Sequence, residues 1–462
     1  VLIEQTPDSF GVCFLRCVTT TRMYSHATSS NPLQYKPIAL IQFTNMRRSA
    51  KRASSKLSAD SQRLVTFAQA IAQASSRLEE RGWERALDTL LQKLLKHEHQ
   101  DTIDAALDHL FKMESMSYDA LMESIEAASE SCVIEHNGMQ YDALLVAAPI
   151  LAWTRFSIAS GPIAPDMLMT LSAHFNAHML APDARLAMAP TLYAIDQLPR
   201  TYAETYALTQ HLGQAALVGN MPRPIANAPE TAPFLADTRY LLAAIVVPAG
   251  APLFRWQASV NLTDRTNALA QWRAQAKPNI ARILPGCGIE LILPEAYYIA
   301  CREADKQIRP VSIRAGVNFL THTLNVEPDQ LQAVVGKFGD INGGEQIDEY
   351  RISFLVDQKP DVLYGIVWPL YGAEDADQEL TSATENSIPT SGILNETTSK
   401  APLEEITSIL HEVGLIHIKH LGERFPMEFC EDCGAPLFSD AESELTHAEM
   451  PEDVPQSAGH FH

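Results

Sequence analysis

The chain has 462 residues, 46% of them hydrophobic and 20% charged, proportions that exclude collagen, coiled-coil fibre and wholesale disorder. At about 100–200 residues per domain, this length holds roughly two to four units. Fifty-six acidic against thirty-five basic side chains leave a formal charge of −21, so the body repels phosphate backbones and anionic lipid.

Seven cysteines in a chain this long do not make a disulfide scaffold. Cys13, Cys17, Cys132, Cys287 and Cys301 are scattered, and only Cys430 and Cys433 lie close together. Sparse, irregular thiols point to a reducing compartment. No run reaches the roughly 18 unbroken apolar residues that cross a bilayer. Residues 10–18 are apolar, but Arg16 interrupts them and no basic start precedes them, unlike a signal peptide. A cytoplasmic location without membrane contact is the expectation.

Residues 1–45 show no sustained periodicity. At Met46 the composition changes to Arg47, Arg48, Lys51, Arg52 and Lys56 with no acid among them. Met46 is therefore the expected natural start, and residues 1–57 read as a disordered leader. Its basic arm is either a plain solvated leader or the one segment suited to an anionic partner such as RNA. From 58 to 131 the pattern is helical. Leu64, Phe67, Ala68 and Ile71 recur at three- and four-residue steps, as do Leu87, Leu90, Leu91 and Leu94, then Ile103, Leu107 and Leu110, then Leu121 and Ile125. Four short helices in an antiparallel bundle are expected there.

Asn137-Gly138 between β-favouring runs is the strongest short-range hairpin signal available. The arm that follows, residues 144–151, is apolar on both faces, like a buried central strand. Residues 132–330 then read as a duplicated α/β core. One unit has a strand at 144–151, a helix at 166–180, a strand at 185–189 and a helix at 201–217. The other has a strand at 241–247, a helix at 267–283, a strand at 289–293 and a helix at 311–324. Each opens on a Leu-Leu pair with an Ala pair close behind, and each places Pro-x-x-Tyr after its second strand, Pro190 to Tyr193 and Pro294 to Tyr297. Strand–helix–strand–helix order predicts at least partly parallel pairing.

A β extension follows over 331–372, with a proline turn at Gln358-Lys-Pro-Asp361. Residues 373–400 form an acidic linker, and residues 401–462 a C-terminal helix, a strand and a cysteine element. The fold class expected is α/β: an N-terminal helical block, a duplicated βαβα core with a β extension, and a small C-terminal zinc-knuckle-like element.

The sharpest chemical feature is Phe429-Cys430-Glu-Asp-Cys433-Gly434-Ala-Pro-Leu437. Two cysteines two residues apart, followed by a glycine able to adopt positive φ, form the knuckle whose thiolates converge on a tetrahedral ion. The second Cys-x-x-Cys of a zinc ribbon is missing, so His447, His460 and His462 are the candidates to complete a Cys₂His₂ or Cys₂His set around structural zinc. A redox-active pair and a reduced structural turn are the alternatives. His174 and His178 share a helix face and read either as a metal pair or as ordinary polar-face residues. The loop expected after the second strand of each unit carries charge. Arg200 and Glu204 stand in one, with Arg302, Glu303, Asp305 and the Cys301 thiol in the other, and together they form a candidate ligand pocket between the units. The bland reading is solvated, ion-paired loops. No phosphate loop, nucleophile elbow or kinase motif is present.

Several long blocks carry a family likeness. They include Ser76-Arg-Leu-Glu-Glu80 with Trp83-Glu84, Ala148-Pro-Ile-Leu-Ala-Trp153-Thr-Arg155, Tyr193-Ala-Ile-Asp-Gln-Leu-Pro-Arg200 and Pro248-Ala-Gly-Ala-Pro-Leu-Phe-Arg-Trp256. Ala296-Tyr-Tyr-Ile-Ala-Cys-Arg-Glu-Ala-Asp305, Trp368-Pro-Leu-Tyr371, the cysteine block and the closing His460-Phe-His462 complete it. Together they resemble a bacterial family, domain of unknown function 2863, over nearly everything from Met46 onward. The resemblance implies a cytoplasmic bacterial protein and transfers no activity, substrate or catalytic residue. The expected function is a non-catalytic binding or regulatory protein with a protein partner. The alternative is an enzyme acting on a small molecule in the pocket between the units.

Overall fold

The computed structural model of the chain describes residues 57–223, 231, 234–339, 347–356, 361–371, 401–431 and 434–449. The leader, its basic arm and the acidic linker lie outside these residues. The chain divides into two compact units, and the division falls between Ile308 and Arg309. Among the described residues, no helix is long and apolar enough to cross a membrane.

The first unit opens with α1 (Ala59–Ala72), α2 (Arg77–Lys96), α3 (Gln100–Met113) and α4 (Ser115–Glu130). The side chains of Ser58 and Ser76 accept the amides of Ser61 and Glu79, so each caps its helix, a contribution of about 1 kcal/mol apiece. The expected stripes are the buried ones, with Leu64, Leu87, Leu91, Ile103, Leu107, Leu121 and Ile125 all inaccessible to solvent. Then β1 (Ser131–His136) pairs antiparallel with β2 (Met139–Trp153). Asn137 and Gly138, at φ 52° and 76°, make the two-residue turn whose twist matches the flanking strands.

Next come β3 (Gly161–Pro162), α5 (Pro165–His178), β4 (Arg185–Ala194), α6 (Tyr202–Val218) and β5 (Ala236–Pro248). They are followed by α7 (Arg255–Ser259), α8 (Leu262–Ile283), β6 (Gly288–Leu291), β7 (Glu295–Ala296) and α9 (Tyr297–Leu324). β2 and β5 lie side by side at the centre of a seven-stranded sheet. β4 pairs with β5, while β6 and β7 pair with β2. Every one of these pairings is antiparallel, which corrects the parallel pairing expected for the core. Each helical crossover does return the chain parallel to its starting strand. It lands one place further out, with β5 between β2 and β4 and β2 between β5 and β6, as in a split βαβ unit.

One face of this sheet is covered by α5 and α8. Leu171 and Phe175 meet Trp272, Ala276 and Ile280 over Ile150, Ala243 and Ile245, and the Phe175 and Trp272 rings pack edge to face at 5.5 Å. α6 covers the opposite face, its Gly213 set against Ile134, Ala143 and Val246. The start of α9 is a second correction. The helix was expected from residue 311, after Arg309-Pro310, yet it begins at Tyr297 and carries Pro310 within it. Tyr297, Ala300, Cys301, Ala304 and Ile308 form a buried stripe at helical spacing, and Ile313, Val317 and Leu320 continue it past the proline. Burial of that stripe outweighs the cost of about 3 kcal/mol that an internal proline carries.

The second unit contains β8 (Leu331–Gly339), β9 (Glu349–Val356), β10 (Tyr364–Pro369), α10 (Pro402–Glu412), β11 (His417–Pro426), β12 (Phe438–Ser439) and β13 (Leu445–Thr446). The sheet order is β10-β9-β8-β11, with β11 parallel to β8 and the other pairings antiparallel. The cysteine-bearing tail is an integral part of this unit. Phe438 and Ala448 share a core with Val334, Phe338, Leu355, Val367, Leu421 and Phe425.

That contact requires the absence of a side chain at Gly365, where an added methyl would overlap the Phe438 ring. Gly365→Ala should therefore cost about 1–3 kcal/mol and lower the melting temperature by several degrees. Gly422→Ala, which meets nothing within 4 Å, should leave it unchanged. Thermal unfolding of the two variants checks the assignment.

Candidate functional site

The described residues on either side of the cysteine pair, 428–431 and 434–437, are joined at their base. Phe429 bridges Pro436, and the Leu437 amide donates to the Glu428 carbonyl at 3.1 Å. Further in, the Cys430 amide donates to Ala435 O at 2.7 Å and the Gly434 amide to Cys430 O at 2.9 Å. Gly434 has φ 72°, the left-handed conformation its position after the second cysteine calls for.

Beneath the hairpin lies a feature that sequence reasoning missed. Glu349, Arg351 and Ser353 alternate along β9 and are fully buried. Arg351 Nε donates to Glu349 Oε1 at 2.6 Å. Arg351 Nη1 donates to Glu428 O at 2.8 Å and to Leu437 O at 2.5 Å, the two carbonyls at the base of the knuckle. The guanidinium stacks between Phe338 and Phe429, 4.3 and 5.3 Å from their centroids. Ser353 Oγ donates to Ser439 O, fixing the strand that leaves the knuckle. Polar residues alternating along a strand ordinarily denote a solvent-facing side. The only hint of burial was opposite charge at i and i+2 in Glu349-Tyr-Arg351.

Of the sequence-derived ligands, Cys430 and His447 are described, whereas Cys433, His460 and His462 lie outside the described residues. His447 follows Thr446, which pairs with Phe438, so the β12–β13 hairpin returns it toward the base of the knuckle. No group of three or more His, Cys, Asp or Glu gathers to hold an ion among the described residues. His174 Nε2 sits 3.1 Å from Asn279 Nδ2, a hydrogen bond linking α5 to α8, which fits the polar-face reading.

The candidate pocket residues are placed differently from expectation. Arg302, Glu303 and Asp305 stand on α9 and not in a loop. Arg200 and Glu204 come together at the start of α6. There the Arg200 and Thr201 amides donate to Glu204 Oε2, and Thr201 Oγ1 accepts the Glu204 amide, a capping box. Arg302 Nη1 grips both oxygens of Glu126 on α4, at 2.6 and 2.7 Å. Glu303 accepts from Gln307 one turn on. Arg200, Glu204, Arg302 and Glu303 are exposed and Asp305 is buried.

The start of α6 and the start of α9 do meet, through other residues. Tyr298 Oη donates to Thr205 Oγ1 at 3.1 Å, and the Tyr202 and Tyr298 rings lie 6.0 Å apart. Glu130, the last residue of α4, accepts the Tyr298 amide at 2.9 Å in the first turn of α9. Burial pushes its carboxyl up to about 7; the Glu126 charge adds to this, and the Tyr298 amide and Arg302 oppose it. Glu126 is also raised by burial, against the pull of Arg302. Burial drives the Cys301 thiol well above its ordinary range.

A family model described as protein of unknown function (DUF2863) matches residues 49–461. The chain belongs to that family. No curated protein and no solved structure matches it.

In this DUF2863 chain, Glu130 has its folded pKa raised above the unfolded value near 4.3. Its neutral form is favoured in the folded state, so its contribution is full below the unfolded value and is lost as pH rises through about 7. Glu130→Gln keeps an acceptor for the Tyr298 amide and removes the charge. Its melting temperature should match wild type at pH 5 and exceed it at pH 8; a difference that is flat over that range would refute the assignment.

Proposed function

We propose that this DUF2863 protein is a non-catalytic binding or regulatory protein of the cytoplasm, its C-terminal tail organised by a structural zinc knuckle. The observation that carries the reading is the buried Arg351, which turns the Glu428 and Leu437 carbonyls inward and holds the base of the cysteine hairpin closed. A preformed hairpin with a positive-φ glycine behind the second cysteine suits a closed, four-coordinate ion. Cys430 and Cys433 supply two thiolates, and His447, His460 and His462 are the imidazoles available to complete the set. Cys132, Cys287 and Cys301 carry no disulfide, in keeping with a reducing compartment. The strand order, in which the second strand of each repeat joins the first strand of the other, supports an origin of the core by duplication.

The alternative is an enzyme whose polar site lies where the repeats meet. The observation favouring it is Glu130, held near neutrality beside Glu126, Arg302 and Tyr298. Its sequence-derived groups favour it less, since Arg200 and Glu204 serve as a helix cap.

Replacing Cys430 and Cys433 together by Ser should abolish bound zinc in the purified protein. It should also make the chain after β11 sensitive to protease, while the far-ultraviolet circular dichroism of the remainder persists. Metal content equal to wild type by elemental analysis would overturn the proposal.

A further inference from the structure

We infer that Glu130 is a pH-responsive latch at the start of α9, holding the first turn of that helix against α4 while its carboxyl is protonated and releasing it on ionisation. This inference is independent of the zinc reading above.

The first amides of a helix have no acceptor within that helix. In α9 the Tyr298 amide finds one on another element, the Glu130 carboxyl at 2.9 Å. One turn earlier on α4, Glu126 accepts Arg302 Nη1 with both oxygens, one turn further along α9. The two carboxyls are thus two rungs between the same pair of helices. Arg302 is the cation that acts on Glu130, yet its Nη1 is bonded to Glu126.

The other groups facing Glu130 supply no second cation. α4 adds the Glu126 charge. α9 adds the Tyr298 hydroxyl and the Cys301 thiol, both kept neutral by burial. α6 presents hydroxyls, Thr205 bonded to Tyr298 Oη and Thr209 to Ser129 O, while its Tyr202 acts on Glu126. One amide at a helix start favours the carboxylate. Burial and the Glu126 charge favour the acid, and they prevail.

On ionisation the carboxyl O–H bond breaks and the proton passes to water. The carboxylate is then better solvated outside the junction. Turning out frees the Tyr298 amide and loosens the turn that runs from Tyr297 to Cys301. The closed latch keeps its proton up to about pH 7, whereas an opened carboxyl ionises near 4.3. Opening therefore becomes easier as pH rises from 5, and the gain ends once both forms are ionised.

Amide hydrogen exchange on the full chain, corrected for the intrinsic rate, tests this. Protection of the Tyr298 amide should fall roughly tenfold per pH unit from pH 5 and level off above pH 7. It should also stay below that of Ile280, a fully buried residue of α8. Glu130→Gln should make Tyr298 protection independent of pH. Glu126→Gln, which removes the like charge and frees Arg302, should move the fall to lower pH. Flat protection in wild type, or an unchanged fall in Glu130→Gln, overturns the latch. So does a Tyr298 amide that exchanges only as fast as Ile280, because release would then require global unfolding. Should Glu130→Gln fail to fold, Glu126→Gln decides, and an unshifted fall in it overturns the claim.

Discussion

A guanidinium buried beside a carboxylate two residues back on the same strand is the constraint around which both units are organised. Taking such a pair out of water costs several kcal/mol per ion, and the mutual attraction offsets this only if the remaining donors are used. Asp237–Arg239 meets that requirement by drawing in the loop carbonyls of Ile158 and Ala159, whereas Arg351 draws in those of Glu428 and Leu437 and still leaves its Nη2, and Glu349 its Oε2, buried without a hydrogen-bond partner. The loop gains a fixed path, and the buried cation gains acceptors that no strand neighbour could offer. In the second unit that loop leads into Cys430, so the base of the cysteine segment is held by a residue remote in sequence.

The split βαβ connections have a comparable reach in the first unit. They set β4 beside β5 and β6 and β7 beside β2, and they leave Tyr193 and Tyr297 at the ends of strands flanking the central β2–β5 pair. The helices that follow, α6 and α9, start close together and pack with α4. That convergence buries Tyr202, Tyr298, Cys301 and Asp305 and half-buries Glu126 and Glu130. A carboxyl near neutrality arises there because three helices exclude water from it more effectively than one amide and one arginine can compensate.

Much of the local structure was legible in advance. The four-helix block followed from its apolar stripes and the β1–β2 hairpin from Asn137-Gly138. The positive φ of Gly434 followed from its place after the cysteine pair. Less legible was anything whose cause lay elsewhere in the chain. Arg309-Pro310 reads as a break, and only burial of Tyr297, Ala300, Cys301 and Ala304 shows why α9 begins a dozen residues before it. Arg200 and Glu204 read as pocket residues because charge in a loop looks the same whether it caps a helix or faces a ligand. Glu349 and Arg351 went unnoticed because the carbonyls that Arg351 holds lie some eighty residues further on.

The amino-acid order alone therefore determined which segments coil and which extend, since those outcomes depend on neighbours within a few positions. Tertiary structure alone decided which strands pair, which charges leave water and what holds the carbonyls of Glu428 and Leu437. Those outcomes depend on which distant segment arrives to cover a face, and a pattern of residue types carries no information about the identity of the cover.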